Sequence, residues 1–103
     1  MKIIKELEEL IEEEVHDVKK YAKLAAEYKH DHPALSHVFY TLSTEEEKHQ
    51  AMLHEEVVKI IHEYRKSHGD PPVAMQAVYD HLHKRHIEKL AEAKNFQELY
   101  RNM

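Results

Sequence analysis

Two stretches of this chain repeat apolar residues at helical spacing and place an acid in the middle of the apolar stripe. In the first, Ile3, Leu7, Leu10, Ile11, Val18, Tyr21, Ala25 and Tyr28 share one side of a helix drawn at about 100° per residue, while Glu12, Glu13, Lys19 and Lys20 point elsewhere. Glu14 stands at the centre of that side. Good helix formers run from Lys2 to Tyr28 without Gly or Pro, and acids gather toward the beginning, so one helix is predicted there, ending near Lys29 to His32. Pro33 suits the first turn of a second helix, with Asp31 or His32 as its cap. So short a connection makes the pair antiparallel.

The second stripe is built around Glu46, with Leu35, Phe39, Leu42, Leu53, Val57, Ile60, Ile61 and Tyr64 on its side and His49 close by. This helix is expected from Pro33 to about Ser67, closed by Gly69 and stopped by Pro71 and Pro72. Ser43-x-x-Glu46 and Thr44-x-x-Glu47 also fit a capping box, which would start a new helix there and engage the acid with a backbone amide. The continuous helix is preferred, because Phe39 and Leu42 keep phase with Leu53 and Ile60 across the supposed break. Asp70-Pro71-Pro72 opens a shorter third helix, to about Ala93, with Met75, Val78, Tyr79, Leu82, His86 and Ala93 on one side. Asn95 is expected to end it, leaving Phe96, Leu99 and Tyr100 for a last turn that docks or frays.

Glu46 and His49 therefore point where a core is expected, and an isolated carboxylate there loses its hydration unless a counter-charge replaces it. Carboxylate oxygen and imidazole nitrogen both suit iron, manganese or zinc. One helix offers a Glu and the next offers Glu-x-x-His, which is half of the ligand set of a carboxylate-bridged di-iron site.

Glu14 with Tyr21 seven residues later, Phe39 seven residues before Glu46, and the block Glu46-Glu47-Lys48-His49 with Met52-Leu53 after it resemble ferritin-like proteins of the rubrerythrin type, among them the short encapsulated ferritins. The resemblance covers roughly the first two thirds of the chain. It implies Glu14, Glu46 and His49 as metal ligands, Tyr21 as a neighbour of the site, and a ferritin-like four-helix bundle. The chain is shorter than four-helix members and carries one copy of the motif, so a homodimer or higher homo-oligomer would have to complete the site: four Glu and two His around two irons, with manganese or zinc as other occupants. The implied activity is oxidation of Fe(II) by O2 or peroxide, in iron handling or protection from oxidative stress. The likeness extends to larger rings, and a cage partner is implied without support from an obvious terminal targeting tail.

Length and composition narrow the alternatives. Residues 1–103 make a single all-α domain, a helical hairpin plus a third helix, small enough that burial against a partner would help. The absence of cysteine excludes disulfides, cysteine-ligated iron–sulfur clusters and a rubredoxin-type iron site. A net charge of −5 with interspersed Lys and Glu, and no basic stripe, argues against nucleic acid. With neither a secretory signal nor a long uncharged apolar run, the expected compartment is cytoplasmic and no membrane partner is expected.

Among the 11 histidines, His86 lies on the third stripe, either as an accessory ligand or, preferred, as a partly buried edge histidine. His81, His83, His54 and Glu56 are candidate entry-site ligands for incoming metal, with a solvated face the preferred reading. Tyr21 reads equally well as a core tyrosine. A different class of function also fits: a helical oligomerisation module whose metal is structural or absent.

Overall fold

The computed structural model describes residues 2–103 as three helices, α1 (Lys2–Glu27), α2 (Pro33–His68) and α3 (Val73–Asn102). With 36 residues at about 1.5 Å each, α2 is about 54 Å long. It sets the longest dimension of a body measuring 55 × 18 × 18 Å. Among the described residues no helix is long and apolar enough to cross a membrane.

The turn between α1 and α2 keeps helical hydrogen bonding almost throughout, with Tyr28 N–H donating to the Leu24 carbonyl and His32 N–H to that of Tyr28. Pro33 then enters the first turn of α2, as its lack of an N–H allows. At the far end Gly69 takes φ 77° and donates its N–H to the Arg65 carbonyl, a conformation that L side chains rarely adopt. Pro71 and Pro72 separate α2 from α3, and Gln76 N–H closes the first turn of α3 onto the Pro72 carbonyl.

The hairpin packs closely because its facing residues are small. Ala22, Ala25, Ser36 and Ser43 are all buried. The Ser36 hydroxyl donates to the Ala25 carbonyl, and Ser43 Oγ donates to the Val18 carbonyl at 2.7 Å. Ser43 thus bridges the helices instead of capping one, and α2 runs unbroken through Glu45, Glu46 and Glu47.

The third helix differs from expectation. At 30 residues it exceeds the 26 of α1, and it passes through Asn95 without ending. Its last turns have partners that make continuation favourable. Gln97 is buried and donates to Ser43 Oγ at 3.0 Å. Tyr100 stacks on Tyr40 with ring centroids 4.5 Å apart, Lys29 lies over the Tyr100 ring, and its ammonium donates to the Tyr100 carbonyl at 2.7 Å.

A second difference concerns the core. Ile11, Val15, Val18, Ala22, Ala25, Ala26, Val57 and Ala93 are the buried apolar residues that hold the three helices together. The stripe around Glu14 and Glu46 lies at the edge of this core, because α3 packs against the other side of α1. Along the uncovered seam Leu10 and Leu35 are each 46% exposed and Ile3 is 51% exposed.

Candidate metal centre

Glu14 from α1 meets Glu46 and His49 from α2, one turn apart, so that one donor atom from each lies within 4.8 Å of the others. His49 Nδ1 is 3.7 Å from Glu14 Oε2 and 3.6 Å from Glu46 Oε2. Both separations exceed a hydrogen bond. Donors held about 2.0–2.2 Å from a shared ion lie roughly 3–3.6 Å apart, so the two histidine–carboxylate distances stand close to the spacing a metal would impose.

Glu14 Oε2 is shielded from solvent and has no hydrogen-bond partner. A buried carboxylate oxygen left in that state loses hydration without recovery, and a cation would supply the missing interaction. The donor set, two carboxylates and an imidazole, fits iron, manganese or zinc. The side chains of Glu14 and Glu46 are mostly covered, whereas that of His49 is 53% exposed. The group therefore opens onto the seam flanked by Leu10 and Met52, the latter 66% exposed. Tyr21 lies in the same seam, stacked on Phe39 with ring centroids 6.2 Å apart.

His86, His54 and His83 are more enclosed than the sequence reading has them, whereas His81 and Glu56 are exposed, as the solvated-face reading has them. His86 is no edge residue: it is 5% exposed, on the far side of α1, where its Nε2 hydrogen-bonds to Glu12 Oε2 at 2.7 Å and its Nδ1 is 3.7 Å from Glu8 Oε2. The four candidate entry ligands do not form one cluster. His54 and His83 stack on each other with centroids 4.8 Å apart, Glu56 accepts from Lys59 at 3.3 Å, and His81 is exposed.

Glu8 and Glu12 are the residues that the apolar stripe concealed. Lys89 donates to Glu12 Oε1 at 2.7 Å and Arg85 lies 3.4 Å from the same oxygen, and Glu12 is held below the usual carboxylate range chiefly by the Lys89 hydrogen bond. Burial pushes Glu8 the other way, against the pull of His86 and His83. A signal for Glu8 was present: Ile4, Ile11, Val15, Ala22 and Ala26 repeat every four or seven residues and mark a second packing face of α1, on which Glu8 lies. Compared with known protein families, curated proteins and solved structures, the chain matches none of them.

Proposed function

We propose that two copies of this chain pack seam to seam into a ferritin-like four-helix bundle, bind two irons between them, and oxidise Fe(II) with O2 or peroxide. The observation that carries this reading is Glu14 Oε2, a shielded carboxylate oxygen without a hydrogen-bond partner that converges with Glu46 and His49. The exposed Ile3, Leu10, Leu35 and Met52 along the same seam favour a second copy as its cover.

One chain offers half a site. A two-fold axis through the seam would bring together four carboxylates and two imidazoles, and two divalent cations would neutralise the four acids, which makes burial tolerable. Glu46 would bridge or flank the two irons, Glu14 would bind terminally or bridge, and each His49 would supply one nitrogen. Iron is the substrate here: two Fe(II) ions each give one electron, and O2 takes both with two protons and leaves as hydrogen peroxide. Placing the two electron donors together is the protein's contribution.

Native mass spectrometry of anaerobically iron-loaded protein tests the reading by counting chains and metals in one measurement. Two irons per dimer, lost together in His49→Ala, are expected. A dimer that takes up no iron leaves an oligomerisation module in its place, and a monomer at micromolar concentration with iron present refutes the shared site.

A further inference from the structure

The polar cluster on the other side of α1 has the composition of a second, separate metal site. Glu8 reaches it from α1, His54 from α2, and the pair His83-x-x-His86 from α3. Glu8 is only 7% exposed, and its Oε2 is shielded from solvent without a hydrogen-bond partner. It faces His86 Nδ1 at 3.7 Å, beyond hydrogen-bonding range. The other nitrogen of that ring is already engaged with Glu12 Oε2 at 2.7 Å. A carboxylate on the outer nitrogen of an imidazole fixes the tautomer and turns the opposite lone pair inward, which is how metal-ligating histidines are commonly held. Lys89 and Arg85 in turn hold Glu12.

We propose that Glu8, His54, His83 and His86 bind one divalent transition metal ion per chain, zinc by the character of the donors, where side chains of the three helices meet. Three imidazoles and one carboxylate, with Glu8 and His86 buried and His54 and His83 half-buried, supply the donors of a four-coordinate structural zinc set, whereas the Glu14 seam is richer in carboxylate. Placement links the four: Glu8 faces His86, and His83, one turn before His86 on α3, stacks on His54. No hydrogen-bond partner offsets the cost of burying Glu8 Oε2. A divalent ion would. Among the described residues only Glu14, Glu46 and His49 already bring three donors within 4.8 Å of one another, so ligation here requires His54 and His83 to turn out of their mutual stack, in which the rings lie 12° from parallel. The ion would tie all three helices together at one point, and it would do so in a single chain, independently of any dimer.

The test uses the full-length chain carrying Glu46→Gln and His49→Ala, so that the seam cannot contribute. Zn2+ is titrated against a chromophoric chelator, and Co2+ is used as the spectroscopic probe. One Zn2+ per chain, a tetrahedral Co2+ absorption spectrum and a raised melting temperature are expected. Adding His83→Ala or His54→Ala, both at partly exposed positions, should weaken Zn2+ by more than the roughly 10–100-fold expected for Glu12→Gln, which removes only the carboxylate behind His86. Circular dichroism of each metal-free variant confirms that the helices persist. Absence of stoichiometric Zn2+ in the seam-less protein overturns the proposal, as does undiminished binding in folded His83→Ala and His54→Ala. Loss of iron binding at the seam has no bearing on this outcome.

Discussion

Glu46→Gln separates a metal-binding carboxylate from a structural one. Glu14 and Glu46 hold donor oxygens within 4.8 Å of each other, and two unit charges at that distance repel by about 1 kcal/mol in a water-like medium and by roughly 3.5 kcal/mol at an effective dielectric of about 20. The side chains are 27% and 20% exposed, so the lower half of that range applies, and a neutral glutamine of the same shape should stabilise the metal-free protein by about 1 kcal/mol or somewhat more. The assay is urea unfolding after exhaustive chelation, at pH 8, where free imidazole is neutral. With a slope of about 1–2 kcal/mol per molar urea, the midpoint should rise by roughly 0.5–1 M. In parallel, iron affinity should fall, since an amide oxygen replaces an anionic donor. A variant that unfolds at lower urea yet keeps its iron would show that Glu46 serves the fold, and would remove the seam from consideration as a metal centre.

Stopped-flow absorbance of the ferric product, followed against Fe(II) added per dimer, should show a fast phase that breaks at two irons and disappears in His49→Ala. His86→Ala should cost stability but leave that fast phase nearly intact, because His86 lies on the opposite side of α1. Ser43→Ala should destabilise by about 1–3 kcal/mol in urea unfolding, since the buried Gln97 amide loses its acceptor without gaining another. Glu12 is held low in the folded chain, so its contribution to stability is full above the unfolded value near 4.5 and is lost as the pH falls through the folded one; acid unfolding below about pH 4.5 should be shallower in Glu12→Gln than in wild type.

The hairpin and the seam were legible because both are local. Helical phase placed Glu14 and Glu46 on facing sides, and the phase of Phe39 and Leu42 with Leu53 and Ile60 correctly favoured a continuous α2 over a capping box at Ser43. The length of α3 was not legible, since nothing in Asn95-Phe96-Gln97 announces that Gln97 will find the Ser43 hydroxyl or Tyr100 the ring of Tyr40. Those partners lie 54 and 60 residues away in the chain. Glu8 and Glu12 were hidden for the opposite reason. On a wheel centred on Glu14 they fall outside the stripe, and an acid outside the stripe is ordinarily solvated; only the docking of α3 gives them His86 and Lys89 as partners.

That docking also explains why the apolar seam stays open. Much of the contact between α1 and α3 is polar: Glu12 with His86, Lys89 and Arg85, and Lys19 with Glu92. An exposed ion pair such as Lys19–Glu92 contributes about 0–1 kcal/mol, whereas burying a leucine side chain completely contributes about 1.5–3 kcal/mol. A chain seeking only to bury apolar area would lay α3 into the seam beside Leu10 and Leu35. α3 instead packs where Glu12 and Lys19 find partners, with the buried His86 and with Lys89 and Glu92. Glu14 and Glu46 are left toward the uncovered side, where a cover has to neutralise them; a second copy of the same seam with two metal ions, as proposed, would do so, and an uncharged apolar partner would not.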